Sequence, residues 1–541
     1  VSEQTKSILS THLPLYLGLT LAVGIFIGSK FSGNKLDSND RVLQSTLKLR
    51  EILFHVDREY VDTVNMEQLV ENAIGGLLKD LDPHSAYLTP RRSELANQSL
   101  QGAFDGIGVE FTMVRDTLTV MGVITDGPSS KAGVLPGDKI LIVDKDTIAG
   151  RRLDSQEIIS KLRGPRGSSV YVAIKRRNEP ELIGYTLIRD KIPTKSVDVA
   201  YMSTPEIGYI KVNSFGATTA DEFKLALNNL KRQGMTKLMI DLRGNGGGYV
   251  SAAELMADEL LGQNALIVSQ KGKQEMYNKD TRAIRPGAFE DGPIVVLMDE
   301  FSASAAEILA GALQDNDRAL IVGRRSFGKG LVQRPIKLND GSELRLTIAR
   351  YYTPSGRSIQ RPYDNGRNEY QSEIKSRFES RELFGEPAYS DTSFVYTTTK
   401  GRTVFGGGGI MPDYYVSLDT MENSPYLNQL LSSQVLRELA IEYTEEHQIK
   451  LRSWDPDSFK KDFVIDDEMI QSLISRAEKQ GVPFRPNQFK ASEQQIRRYL
   501  KAFIGRSLWG EEGFYPVLNL GDAVYLRALS LFDEAETLAR N

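Results

Sequence analysis

The sequence predicts a multidomain chain of mixed α/β class, with a largely parallel sheet at its centre and helical parts at both ends. Three observations predict it. At 541 residues the chain is too long for one ordinary domain. From Glu206 to about Val416 apolar strand runs alternate with amphipathic helical runs, the pattern of a parallel sheet. From about Ala103 to Arg189 the texture is instead short β-runs separated by turns, the size of one compact module.

Taken from the start, Leu13 to Gly28 (LPLYLGLTLAVGIFIG) is an uncharged apolar run. It is long for a signal-peptide core and short for a full span, and no small-x-small cleavage site follows closely. It reads as an uncleaved signal anchor. From Ser45 to about Gln101, Leu47, Ile52, Leu53, Val56 and Tyr60, then Leu69, Ala73, Leu77 and Leu78, recur at helical spacing. LDPHSAYLTP (81–90) interrupts that pattern with two prolines. In the central region EIGYIKVNSF, TKLMIDL, PIVVLMD and RALIVG are strands. TADEFKLALNNLKRQG and SASAAEILAGALQDN are helices, with another from about Val250 to Leu261. Past Ser417 the chain is polar and helical, as in Tyr426–Glu446 and Ile465–Glu478.

Composition excludes several chemistries. There is no cysteine, so disulfides, thiolate metal sites and cysteine nucleophiles are absent together. The four histidines, His12, His55, His84 and His447, are far apart in sequence, which argues against a two-histidine metal site. With 67 basic and 71 acidic residues the net charge of −4 gives no case for nucleic acid.

Three segments carry candidate chemistry: DLRGNGGG (241–248), FSASAAE (301–307) and GRRSFGKG (323–330). Each follows a strand, where open α/β sheets place their sites. Ser304 opens a helix, beside unpaired N–H groups and the positive end of the helix dipole. Ser304-x-x-Glu307 also reads as an ordinary capping box, and the segment alone does not choose. GRRSFGKG nearly matches a phosphate-binding loop. Gly330 stands where the magnesium-binding hydroxyl should be, and a strand follows where a helix should open, so the nucleotide reading fails. The glycines of DLRGNGGG lack dinucleotide spacing; Gly246, Gly247 and Gly248 instead let backbone N–H groups approach a ligand. Lys329 is left in a glycine-flanked loop, either as an ordinary surface lysine or as something placed; if Ser304 is a nucleophile, this lysine is a natural candidate base. Its pKa must fall from about 10.4 toward 7, about 4 kcal/mol against the ammonium, which burial can supply. Ser–Lys pairs are a known variant of triad logic.

The order DLRGNGGG, SASAAE, GRRSFGKGLVQ, with Lys329 25 positions after Ser304, resembles the C-terminal processing peptidases, or tail-specific proteases. LDPHSAYL upstream, YYTPSGRSIQ (351–360) and GGGGIMPD (406–413) extend the likeness over residues 45–416. The resemblance implies a ClpP/crotonase-like α/β core with an inserted or preceding PDZ-like domain. It implies Ser304 as nucleophile, Lys329 as general base and Gln333 as the residue orienting the lysine. Ala305 and Gly247 would supply the oxyanion hole, with no metal or cofactor. Asp315, implicated in some members, would lie about 16 Å along an unbroken helix and reads as structural. Gly106, Ile107, Gly108 and Val109 resemble the loop that holds a peptide's terminal carboxylate, the peptide adding as a strand. The expected division is 1–40 anchor and linker, 41–101 helical, 102–190 PDZ-like, 191–416 peptidase core and 417–541 helical.

The resemblance further implies a bacterial envelope protein, its catalytic part periplasmic and its N-terminal segment in the inner membrane. Expected partners are protein substrates with free C-terminal tails, with an adaptor protein or a second copy of the chain at 417–541. The competing reading is a non-catalytic PDZ scaffold or adaptor on an inactive peptidase fold.

Overall fold

The computed structural model of the chain describes residues 12, 15–26, 37–114, 116–151, 153–177, 179–385, 394–418 and 422–540. They fall into two units, residues 1–81 and 82–541. The first is helical at 15–26, Asp37–Glu59 and Met66–Lys79. Asn65 caps the last of these by accepting the Gln68 N–H at 3.1 Å. Of the apolar run 13–28, residues 13, 14, 27 and 28 lie outside the described residues. Among those described, no helix is long and apolar enough to cross a membrane.

The second unit contains the β-rich module. Its strands run antiparallel in the order Val109–Val114, Thr117–Val123, Lys139–Val143, Ser169–Lys175 and Ile183–Ile188. Helix Ser155–Leu162 adds Ile158 and Leu162 to a core of Leu118, Val120, Ile140, Val172 and Ile174. Val109–Val114 is an edge strand of this sheet.

The central sheet runs in chain order: Val197–Met202, Ile207–Val212, Lys237–Asp241, Ile294–Met298, Ala319–Gly323 and Tyr414–Tyr415. The first pair is antiparallel and every later pair is parallel. Strand alternation explains why PIVVLMD is apolar throughout. Ile294, Val296 and Met298 face helices Thr219–Arg232, Val250–Asp258 and Ala305–Asp315. Val295 and Leu297 face the other way. That second face is covered by the end of the chain: Val524, Tyr525, Ala528, Leu531, Phe532 and Ala535, from helices Ala523–Leu529 and Phe532–Arg540. Residues 426–510 build a helical core of their own, including Tyr426, Leu436, Phe459, Leu473 and Leu500.

A second sheet lies in the order Ala86–Leu88, Glu343–Tyr352, Leu266–Gly272 and Lys279–Arg282, with Leu331–Lys337 also on Glu343–Tyr352. LDPHSAYL thus leads into a strand paired with residues some 260 positions later (Ala86 opposite Arg345).

Because the terminal helices cover the sheet, Phe532→Ala is expected to cost about 3–5 kcal/mol, read as a lower denaturant midpoint. A midpoint no lower than that of the exposed-site control Leu526→Ala would show that these helices are not part of the core.

Candidate active site

Three neighbouring parallel strands, Lys237–Asp241, Ile294–Met298 and Ala319–Gly323, end at one edge of the sheet. Their following loops therefore converge: 242–249, the segment ending at Ser304, and 324–330. Ser304 itself is held at φ 58°, ψ −114°, outside the regions open to most side chains. The strain sits at the residue that turns strand into helix.

One buried carboxylate ties these loops together. Glu307 has no solvent exposure. Its Oε2 accepts the Ser304 N–H at 2.8 Å and the Lys329 N–H at 2.9 Å. Its Oε1 accepts the Gly328 N–H at 2.7 Å and the Ser326 hydroxyl. Burial pushes the Glu307 carboxyl above the usual carboxylate range, although Ser326 and the backbone donors work against that rise. The residue that looked like half of a helix cap therefore also sets the lysine loop. Tyr351 adds a bond from its hydroxyl to the Ser304 carbonyl at 3.2 Å.

Lys329 Nζ donates to Gln333 Oε1 at 3.1 Å. Among the described residues no hydrogen bond joins this amine to the Ser304 hydroxyl. Burial holds the Lys329 pKa below the ordinary lysine value; Glu307 and Asp82 pull it upward, and Arg345 pushes it down. Gln333 Nε2 in turn donates to the backbone carbonyl of His84. The His84 ring meets the Tyr370 hydroxyl at 2.7 Å and packs edge-on against the Tyr370 ring. Its pKa is pushed down to about 4, by burial first and then by the Lys329 charge, so it is neutral at pH 7.

His84 is the neighbour that sequence reasoning missed. It lies 249 positions from Gln333, and only the pairing of Ala86–Leu88 with Glu343–Tyr352 brings it in. The two prolines and the Asp82-x-x-Ser85 turn pattern were the available signal.

At the expected oxyanion hole the two backbone donors differ. Gly247 lies against Ser304: a Cβ there would come within 2.8 Å of Ser304 Cβ, and its φ of +95° also favours glycine. Its N–H, however, donates to Asn245 Oδ1 at 2.8 Å. Asn245 is held by its own bond to the Val212 carbonyl at 2.9 Å. The Ala305 N–H, in a fully buried residue, has no hydrogen-bond partner among the described residues. Asp315 is accounted for structurally: Oδ1 accepts from Arg357 at 2.7 Å and Oδ2 from the Ser355 N–H at 3.0 Å. It anchors YYTPSGRSIQ.

The chain matches peptidase family S41 over residues 206–364, a PDZ domain over 106–186, and a family of unknown function over 426–510. It is 38% identical over 314 residues to a carboxy-terminal-processing protease of Bartonella bacilliformis, covering 57% of this chain and 71% of that one. The chain belongs to the carboxy-terminal-processing serine proteases of peptidase family S41. Carboxy-terminal processing protease CtpB of Bacillus subtilis is 32% identical over 328 residues, 60% of this chain and 66% of that protein. A solved photosystem II D1 C-terminal processing protease aligns with TM-score 0.33 and 30% identity, covering 58% of this chain and 83% of its own. The relatives favour a protease over the non-catalytic scaffold reading.

In this S41 protease the PDZ module presents its glycine loop at the head of the edge strand. Gly108 adopts φ +74°. The carbonyls around it are occupied: Ile107 accepts the Ser129 N–H at 3.0 Å and the Ser129 hydroxyl at 2.7 Å, and Gly108 accepts the Ile124 N–H at 3.0 Å. The N–H groups of Ile107 and Gly108 have no partner among the described residues.

Glu307→Gln leaves one accepting oxygen where there were two, so some of the four donors lose their acceptor. Turnover of a tailed protein substrate is expected to fall about 100-fold through misplacement of the loops; wild-type turnover would show that the shared carboxylate is unnecessary. Separately, His84 takes up a proton more readily unfolded than folded. Stability is therefore full above about pH 6.5 and declines as pH falls toward 4. His84→Gln should flatten that part of a plot of melting temperature against pH, and an unchanged slope would exclude His84 as its source.

Proposed function

We propose that the chain is an endopeptidase that captures the free C-terminus of a protein and cleaves it with Ser304 as nucleophile and Lys329 as general base. The observation behind this reading is the shared carboxylate. Glu307 accepts from the backbone N–H of both Ser304 and Lys329, so one buried group fixes the backbones of the two residues relative to each other.

The reaction is acyl transfer. Neutral Lys329 Nζ takes the Ser304 proton as Oγ adds to the peptide carbonyl carbon. Gln333 accepts one N–H of the amine, which turns the lone pair elsewhere. The developing oxyanion meets the Ala305 N–H and, once Asn245 releases it, the Gly247 N–H. The ammonium then protonates the leaving nitrogen as the C–N bond breaks. Water attacks the acyl ester, Lys329 accepting its proton and returning it to Oγ as the acyl C–Oγ bond breaks, which frees the new carboxyl end and regenerates Ser304.

The Ile107 and Gly108 N–H groups receive the terminal carboxylate, and the tail adds as a strand to Val109–Val114. An internal sequence lacks that charge, which is the basis of the selectivity. The uncharged run 13–28 anchors the protein to the inner membrane of a bacterial envelope, with the catalytic part in the periplasm. Spheroplast fractionation with external protease reads that placement directly. The last helices are occupied by the core, so 426–510 is the part of the C-terminal region left for an adaptor or a second copy.

The test uses a protein with an apolar C-terminal tail. Ser304→Ala and Lys329→Ala should each lose about 1,000-fold or more in kcat, and amidating the tail should raise KM. In wild type, kcat/KM should rise with pH through a limb below the ordinary lysine value of about 10.4. Ser304→Ala cutting at the wild-type rate would end the reading.

A further inference from the structure

We propose that Asp82 is a positioning residue for Lys329, acting through the His84 carbonyl and the Gln333 side-chain amide. The inference rests on the Ser304–Lys329 reading above.

Asp82 is almost fully buried. Its Oδ1 accepts the N–H groups of His84 at 2.7 Å and Ser85 at 2.8 Å, and its Oδ2 accepts the Ser85 hydroxyl. These bonds close an Asx-type turn whose outward carbonyl is that of His84. The turn is clamped to the neighbouring sheet. The Thr347 N–H donates to Ser85 Oγ at 3.2 Å, and Thr347 is the cross-strand partner of Gln333. One short turn therefore fixes both the strand opposite Gln333 and the acceptor of its side chain.

The polarity of an amide gives this arrangement its consequence. Nε2 only donates and Oε1 only accepts. With the His84 carbonyl taking Nε2, Oε1 must face Lys329, where it accepts an N–H of the amine. A reversed amide would set its carbonyl against that of His84 and turn an N–H toward the lysine. The Asp82 turn thus decides which way Gln333 points, and with it where the lone pair of the neutral lysine points. Asp82 also acts through charge. The groups facing the amine are Glu307, Asp82, Arg345 and the neutral His84 ring, and the two carboxylates favour the ammonium.

The experiment compares full-length wild type, Asp82→Ala, Asp82→Asn and Lys329→Ala on one tailed protein substrate across pH. Asp82→Ala should lower kcat about 100-fold with KM little changed. Asp82→Asn keeps an oxygen for both N–H groups and an NH2 for Ser85 Oγ, so it should recover most of kcat. Having lost the negative charge, it should also move the rising limb of kcat/KM to lower pH, which a merely structural role would not do. Lys329→Ala retaining turnover would overturn the Ser–Lys reading itself. Lys329→Ala inactive beside Asp82→Ala at wild-type kcat would overturn this proposal alone. Should Asp82→Ala not fold, by circular dichroism, Asp82→Ser decides, since its shorter hydroxyl holds the turn only weakly: a kcat well below wild type with KM little changed supports the proposal, and a wild-type kcat overturns it.

Discussion

The candidate active site depends on the burial of one carboxylate with four donors around it. Removing a carboxylate from water costs several kcal/mol, and only well-placed hydrogen bonds offset that. Glu307 is offered the Ser304, Gly328 and Lys329 N–H groups and the Ser326 hydroxyl. Because the donors come from two loops on adjacent strands, satisfying the charge requires the loops to take up one relative position. The strained backbone of Ser304 persists for the same reason. Such a conformation costs of order 1–3 kcal/mol, and it is over-determined: its N–H donates to Glu307, and its carbonyl accepts from the Tyr351 hydroxyl and the Ile308 N–H.

Around that centre the sheet is a two-faced scaffold, and the chain end supplies one of the faces. The glycine loop is tied to the same end. Arg243 pairs with Asp241 at 2.7 Å and with Asp522, at the start of one terminal helix, at 2.8 Å. Through this arginine the C-terminal region reaches the loop beside Ser304. A region that reads in sequence as polar and helical is thus partly core and partly a support for the site.

The amine is balanced between opposing influences. Burial disfavours its charge, while Glu307 and Asp82 favour it. The carboxylate that positions the lysine loop therefore also resists the deprotonation that the proposed base catalysis needs. Gln333 is suited to this setting because it orients the amine without adding a charge.

Much of this was legible from local pattern. The alternation of strands and helices, the buried run PIVVLMD and the convergence of three loops at strand ends all follow from periodicity and spacing along the chain. Ser304 and Lys329 stood out because their flanking motifs are short and contiguous. What pattern could not reach were contacts between distant segments. His84 under Gln333, Asn245 on the Gly247 N–H, and the final helices on the second face of the sheet came only with the assembled chain.

The sequence by itself determined the α/β class, the strand-end position of the motif residues and the family to which the chain belongs. Only the tertiary structure decided the direction of the Gln333 amide, the occupancy of the backbone donors near Ser304 and what covers the sheet. The reason is physical. Periodicity encodes which face of an element is apolar, but which other element buries that face, and which donor meets which acceptor, is settled collectively as all the faces are buried together.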